Sequence, residues 1–181
     1  KDLILKANKL DIEESQNKLS NAMIDRLMLD DQRFEGILES IKNVISLDDP
    51  TGNILFTNER PNGMIVERVS VPLGVIGIIY ESRPNVTIDA TVLCLKAGNS
   101  VILRGGSECF NTNTAMVNSM QKAMRSKSVS ENIVQYVNTT DRAAVDYMLS
   151  KMDKYIDVIV PRGGKGLVKK VQDTAKIPVI G

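Results

Sequence analysis

Two Arg-Gly-Gly segments are the part of this sequence best suited to chemistry. One begins at Arg104 and the other at Arg162, and each follows a short apolar run typical of a β-strand. An arginine guanidinium is a permanent cation with a fork of donors, and the glycines let a ligand approach the backbone closely. The second segment also opens a helical pattern, where free N–H groups and the helix dipole favour a phosphate. The chemistry indicated is the binding of an anionic ligand.

The spacing of the glycines does not by itself separate a phosphate loop from an ordinary turn. Lys165 is followed by Gly166 where a Walker A motif needs Ser or Thr, and Lys169 stands where a GxGxxG motif needs its last glycine. The alternative is a plain strand-to-helix turn. Two such loops in one chain modestly favour phosphate binding.

Nucleophilic and metal chemistry have few candidate residues. The chain has no histidine, which excludes a Ser-His or Cys-His pair and any histidine-bearing zinc site within it. Cys94 lies in an apolar helical run and is interpreted as a buried structural thiol. Cys109 follows the first Arg-Gly-Gly segment, where a nearby helix N-terminus would lower its pKa, but we assign it no catalytic role. The sequence predicts no catalytic residue and no metal site.

Composition narrows the class of protein. The 181 residues suffice for one large domain with a single core. With 23 Lys and Arg against 22 Asp and Glu, no basic field exists to hold a nucleic acid. The sequence shows neither an apolar run that could cross a bilayer nor a signal-like start, and two cysteines predict no disulfide framework. We expect a cytoplasmic protein without nucleic-acid or membrane partners.

Alternating strand and helix patterns over residues 71–181 must position the two Arg-Gly-Gly segments. The predicted strands are Val75 to Tyr80, Ser100 to Leu103, Ile133 to Val137 and Ile156 to Val160, with a fifth beginning at Ile177. The predicted helices are Thr87 to Lys96, Thr112 to Arg125, Arg142 to Met152 and Gly166 to Thr174. This alternation predicts an α/β fold, a parallel sheet with helices on both faces. The loops after the strands then share one ligand-binding rim, at residues 81–85, 104–108, 138–141 and 161–165.

The first 70 residues follow other patterns, and we treat them as a separate unit. After an Asp30-Asp31 start, apolar residues recur at the spacing of one helix face, which is core or interface: Ile37, Leu38, Ile41, Val44 and Ile45. Residues 51–69 combine turn signals with alternating stretches, which predicts a hairpin or edge arm that could reach a neighbouring subunit. The expected domains are N-terminal helices with a β arm (1–70) and a sheet domain (71–181).

Three segments carry a resemblance to a known family: Leu19 to Leu27, Val71 to Glu108 and Asp153 to Gly181. They are similar to γ-glutamyl phosphate reductase, also called glutamate-5-semialdehyde dehydrogenase, of the aldehyde dehydrogenase superfamily. The resemblance implies a Rossmann-like NADP-binding domain and an arm that serves oligomerisation. It also implies the NADPH-dependent reduction of γ-glutamyl phosphate to glutamate 5-semialdehyde in proline biosynthesis.

The resemblance implies cofactor-binding roles for individual residues. Arg104 takes the place of a basic residue near the adenosine ribose, where arginine suits a 2′-phosphate and favours NADP over NAD. Ser107 departs from the family's lysine, which is expected to weaken cofactor affinity. The other residues that match the two loops, and are expected to face the cofactor, are Gly105, Gly106, Glu108, Arg162, Gly163, Gly164 and Gly166.

A third loop, with Glu81, Arg83, Pro84 and Asn85, matches the family segment near the cofactor and the reacting carbonyl. Arg83 or Asn85 could steady a developing oxyanion or the substrate phosphate, and the resemblance does not choose between them.

The family's nucleophile is a cysteine that follows an Ile-Pro-Val-Ile block well downstream, and this chain stops at Gly181, directly after that block. We therefore expect the catalytic domain to be absent and the chain to be inactive alone. The alternatives are a degenerate, non-catalytic protein with at most a nucleotide-binding or assembly role, and a remnant that binds nothing. A homo-oligomer could form through the β arm or the face that a catalytic domain would cover.

Overall fold

The structure is a computed structural model that describes all 181 residues, and it begins with three helices. These are α1 (Asp2–Ser15), α2 (Asn21–Leu27) and α3 (Asp31–Ser46). The side chain of Asp30 begins α3, because its carboxylate accepts the backbone N–H of Arg33 at 2.8 Å. The predicted start of this helix is confirmed. None of the helices has the length and apolar composition needed to span a lipid bilayer.

The arm predicted over residues 51–69 is an antiparallel hairpin. Its strands β1 (Ile54–Glu59) and β2 (Ile65–Val69) form a separate two-stranded sheet. Gly63 lies in the connecting turn with φ of +81°, a conformation that a residue with a Cβ rarely adopts. Both strands expose apolar side chains, among them Phe56 and Ile65. The hairpin therefore contributes nothing to the core of the main sheet.

The rest of the chain alternates strand and helix as predicted. The elements are β3 (Val75–Tyr80), α4 (Pro84–Lys96), β4 (Ser100–Arg104), α5 (Phe110–Ser126), β5 (Val134–Tyr136), α6 (Ala143–Lys151), β6 (Val158–Arg162) and α7 (Lys165–Thr174). The four strands pair in parallel, in the order β5-β4-β3-β6. The predicted fifth strand is reduced to one bridge between Val179 and Ile159.

The strand order marks where a ligand fits best. The chain moves from β3 outward to β4 and β5, and then returns to the other side of β3 to form β6. Because all four strands are parallel, their carboxyl ends lie at the same edge of the sheet. The point at which the order reverses, between β3 and β6, is where open α/β sheets form a ligand crevice.

Apolar side chains fill both faces of this sheet. One cluster joins Ile78 and Leu103 of the sheet to Val117 of α5, and the other joins Ile159 to Leu149 of α6 and Val171 of α7. A third cluster packs the N-terminal helices on the outer side of α4 and α5, through Ile4, Leu29, Phe34, Ile37, Ile88 and Met116. Met116 of α5 and Met148 of α6 are almost fully buried and serve as core residues.

Polar side chains of α1 connect this helix to the end of α2 and to the start of α5. The buried carboxylate of Asp11 accepts the backbone N–H groups of Asn111 (3.1 Å) and Thr112 (2.7 Å) at the start of α5. Asn8 accepts the N–H of Leu29 at 2.7 Å and donates to the carbonyl of Leu27 at 2.9 Å. These bonds hold α1 and the end of α2 in a fixed position relative to α5.

Candidate functional site

The loops after the four strands lie along one edge of the sheet, and Arg104 is buried among them. This arginine ends β4 and is 6% exposed. Its guanidinium donates to the carbonyl oxygens of Gly105, Thr140 (3.0 Å) and Asp141 (3.4 Å), while its Nε has no partner. No carboxylate forms an ion pair with it. A buried cation without a counter-charge is expensive, so an anion that reaches this position would gain from it.

Close packing requires a glycine at position 105, directly after Arg104. A Cβ on Gly105 would overlap the side-chain amide of Asn113 and lie 3.0 Å from the Tyr80 ring. Glu108, which follows, accepts hydrogen bonds from the hydroxyl of Ser82 and from that of Ser107 at 3.2 Å. The first Arg-Gly-Gly segment is therefore held tightly against the end of β3, with only Ser107 exposed at its tip.

The second Arg-Gly-Gly segment carries a carboxylate where a phosphate was expected. Glu81 Oε2 accepts the backbone N–H of Gly164, the N-cap residue directly before α7, at 2.9 Å. The Glu81 N–H in turn donates to the carbonyl of Arg162 at 3.1 Å. A Cβ on Gly163 would lie 2.6 Å from the Glu81 carboxyl carbon. A phosphate entering at this helix start would have to displace the Glu81 side chain, since both are anions.

Gly166 lies within α7, and a Cβ there would meet no atom within 4 Å. Nothing in the structure explains why this position is glycine.

Two clefts open beside these loops, and Arg83 lines both. The rim cleft, of about 520 Å³, lies at the switch point between β3 and β6 and is lined by Met23, Arg26, Glu81, Ser82, Arg83, Val86, Pro161, Arg162, Gly163, Gly164, Val168 and Gly181. The helix cleft, of about 400 Å³, lies between α2, α3 and the start of α4. It is lined by Asp25, Arg26, Met28, Leu29, Arg33, Gly36, Ile37, Ser40, Arg83, Pro84, Asn85 and Asp89.

Arg26 of α2 lines both clefts, and the sequence alone does not predict this position. Its segment, Leu19 to Leu27, is part of the family resemblance, but nothing in the local pattern separates Arg26 from an exposed charge on a helix. The structure places it in the lining of the same two clefts as Arg83. Asn85, also predicted for this region, lines the helix cleft and donates to Asp89 Oδ2 at 3.0 Å.

Neither cysteine is an activated nucleophile. Burial raises the pKa of Cys109 to about 12 and that of Cys94 to about 11. For Cys109 the nearby Glu108 carboxylate raises the pKa further, while the hydrogen bond that Asn113 donates to Sγ only partly opposes this. The expectation that a helix N-terminus would lower the pKa of Cys109 was wrong, because desolvation of the thiolate outweighs the dipole. The structural role predicted for Cys94 agrees with its burial.

Both thiols are expected to resist Ellman's reagent in the folded protein at about pH 8 and to react fully in urea. Because each folded pKa lies above the ordinary value of 9.0, unfolding releases protons at alkaline pH. The contribution of the two thiols to the free energy of unfolding is therefore complete below about pH 9 and decreases as the pH rises toward the folded pKa values. Midpoints of urea unfolding measured across this pH range test the loss of stability. Reaction of the folded protein with Ellman's reagent at the rate of a free thiol would contradict the expected resistance of the two cysteines.

Comparison with known proteins gives a consistent relationship. No protein family model matches the chain. It is 53% identical over 179 residues to the γ-glutamyl phosphate reductase of Bartonella tribocorum, an alignment that covers 98% of this chain and 44% of that protein. The solved γ-glutamyl phosphate reductase of Thermotoga maritima superposes with a TM-score of 0.94 at 40% identity, covering 98% of this chain and 43% of that one. The chain thus spans less than half of the length of these relatives.

More distant solved structures share the fold alone. A probable aldehyde dehydrogenase from Listeria monocytogenes superposes over 99% of this chain and 37% of its own, with a TM-score of 0.69 at 20% identity. An engineered glycolyl-CoA reductase with bound NADP+ superposes over 99% of this chain and 46% of its own, with a TM-score of 0.63 at 20% identity. The predicted α/β fold of the aldehyde dehydrogenase type is confirmed. Over nearly its whole length, this chain is a homologue of the γ-glutamyl phosphate reductases.

Proposed function

We propose that this chain supplies the NADP-binding part of a γ-glutamyl phosphate reductase, an enzyme that reduces γ-glutamyl phosphate to glutamate 5-semialdehyde in proline biosynthesis. Homology over nearly the whole chain supports the family-level assignment. The observation that carries the cofactor assignment is the buried guanidinium of Arg104, with an unpartnered Nε and no counter-charge, at the carboxyl edge of the sheet. An anionic group on the ligand would compensate that charge.

Residues of the loops after β4 and β6, on the two sides of β3, would hold the cofactor. Arg104 would bind the 2′-phosphate of the adenosine ribose, and this contact would select NADP over NAD. Gly105 packs against Asn113 and Tyr80 and so fixes the loop after β4 beside Arg104, and a cofactor phosphate at Gly163 and Gly164 would displace the Glu81 side chain from the Gly164 N–H. When bound, the cofactor supplies the hydride. The chain's own part is to bind and orient it at the switch point of the sheet.

The loop after β3 would face the substrate. Arg83 lines both clefts, and its guanidinium makes no ion pair. Asn85 lines only the helix cleft, and its amide is already engaged with Asp89. This difference favours Arg83 over Asn85 as the residue of this loop that would contact an anionic group of the substrate.

One observation favours a second candidate, a non-catalytic protein with an assembly role. The hairpin exposes a group of large apolar side chains, namely Ile54, Leu55, Phe56, Met64 and Ile65. Exposed apolar groups of this kind suit an interface between protein chains. Such a protein would associate through the hairpin and would show no selectivity between NADPH and NADH.

We expect the chain to bind NADPH at least about tenfold more tightly than NADH, and Arg104→Gln to remove most of that difference. Fluorescence titration with each cofactor measures both affinities. Arg60→Gln is the matched control, because Arg60 is exposed in the hairpin turn, far from the clefts in the sequence and absent from their linings. Arg104→Lys keeps the positive charge at this buried position and should therefore retain part of the selectivity. It replaces Arg104→Gln as the test variant where the glutamine variant does not fold.

Equal affinity for the two cofactors, unchanged by Arg104→Gln in a variant that still unfolds cooperatively, would refute the cofactor assignment.

A further inference from the structure

Arg26 and Arg83 carry exposed guanidinium groups that form no ion pair. The ion pairs of the structure involve Lys1, Arg33, Arg125 and Lys170, and neither Arg26 nor Arg83 is among them. Both line the helix cleft and the rim cleft. Two cations in a concave site, each with a full set of free donors, attract a carboxylate or a phosphate.

The helix cleft also holds a carboxylate that no cation neutralises. Asp89 accepts the hydroxyl of Ser40 at 2.9 Å on one oxygen and the amide of Asn85 at 3.0 Å on the other, and both donors are neutral. The remaining charged residues of this cleft neutralise each other, since Arg33 and Asp25 form an ion pair at 2.7 Å. The charges left for a ligand are therefore two guanidiniums and one oriented carboxylate.

This arrangement of charges is complementary to an α-amino acid head group, which carries one carboxylate and one ammonium on the same carbon. A simple anion would use the arginines but would be repelled by Asp89. An amine without a carboxylate would bind Asp89 but would be repelled by the arginines. Only a zwitterion uses both kinds of charge, which is how a polar site rejects analogues that lack one group.

We propose that the helix cleft binds the α-amino acid head of the substrate, with Arg26 and Arg83 on its carboxylate and Asp89 on its ammonium. This inference rests on the proposed function, because γ-glutamyl phosphate carries such a head at the end opposite to its acyl phosphate. The two clefts share Arg26 and Arg83, so a substrate anchored in the helix cleft extends toward the rim cleft and the cofactor loops. Arg26 and Asp89 are then residues that determine substrate specificity.

The test compares L-glutamate with two analogues that each lack one of its groups. Binding is followed by NMR chemical shifts of the chain. L-Glutamate has the complete head, glutarate lacks the ammonium, and 4-aminobutyrate lacks the α-carboxylate. L-Glutamate is expected to bind with a dissociation constant on the order of 1 mM, and each of the other two about tenfold more weakly. Inorganic phosphate is the fourth probe, and it should perturb the helix cleft less than L-glutamate does.

The variants separate the two halves of the recognition. Arg26→Gln should bind L-glutamate as weakly as wild type binds 4-aminobutyrate, and Asp89→Asn as weakly as wild type binds glutarate. Arg60→Gln, outside both clefts, should bind as wild type does. Arg26 is exposed, so its variant should keep the fold, and Arg83→Gln gives an independent second test of the carboxylate contact.

Equal affinity for L-glutamate and glutarate, or no detectable L-glutamate binding, would overturn the head-group site. Unchanged binding in both Arg26→Gln and Asp89→Asn would do so as well. The same chain is titrated with NADPH in parallel. Selective NADPH binding without glutamate discrimination refutes this inference alone. Glutamate discrimination without NADPH selectivity refutes the cofactor assignment and supports the head-group site.

Discussion

Replacement of Asp11 by alanine is expected to lower the free energy of unfolding by about 3–5 kcal/mol. The carboxylate is 2% exposed and accepts the backbone N–H groups of Asn111 and Thr112, the side-chain amide of Asn111 and the hydroxyl of Thr112. Alanine would leave those N–H groups buried without partners at the start of α5, where the helix dipole also favours an anion. The loss would also loosen the attachment of α1 to the sheet domain.

Urea unfolding followed by circular dichroism measures this effect. Glu14→Ala is the matched control, because Glu14 lies in the same helix, is exposed and takes part in no ion pair, so its replacement should change stability by less than about 0.5 kcal/mol. A double-mutant cycle with Thr112→Val isolates the contact between the two side chains. A loss of less than about 1 kcal/mol in Asp11→Ala would mean that the network does not hold the helices together.

Gly105→Ala is expected to destabilise the protein by about 3 kcal/mol, at the upper end of the cost of an overpacked core. The added methyl would overlap Asn113 Nδ2 and press on the Tyr80 ring. Asn113 cannot move freely, because it accepts the hydroxyl of Thr87 at 2.7 Å and donates to Cys109 Sγ at 3.1 Å. The strain would also shift the adjacent Arg104, so NADPH affinity should fall together with stability.

Gly166→Ala provides the contrast within the second glycine segment. No atom lies within 4 Å of the added Cβ, and the residue is inside α7, so alanine should stabilise the helix by about 0.5–1 kcal/mol. In thermal unfolding measured in parallel, the midpoint temperatures of the two variants should therefore shift in opposite directions. Equal shifts would show that the packing around Gly105 does not explain why that position is glycine.

Local patterns predicted the secondary structure well where a segment carries its own boundaries. The strand Val75 to Tyr80 was predicted at both ends, because a β-branched run is bounded by turn residues. Helix α4 begins at Pro84, three positions before the predicted Thr87, because proline suits the first turn of a helix. The strand predicted from Ile177 forms only one bridge, since its pairing depends on β6 and not on its own apolar run.

The site was predictable only in outline. The two Arg-Gly-Gly segments do fall on the same edge of the sheet, as strand alternation requires. The sequence gives no sign that Glu81 bonds to the start of α7, or that Arg26 lines both clefts. Each of these contacts joins residues far apart in the chain, and no local periodicity encodes such a contact.

The sequence by itself determined the alternation of strands and helices, the shared edge of the two Arg-Gly-Gly loops and the kinship with the γ-glutamyl phosphate reductases. These follow from hydrophobic periodicity, turn residues and long matching segments, all of which are local. Only the tertiary structure decided that Arg104 is buried without a counter-charge, that the pKa of Cys109 is raised and that Arg26, Arg83 and Asp89 share a cleft. Burial and charge pairing depend on neighbours that folding brings together, and they decide how strongly each group binds a proton or a ligand.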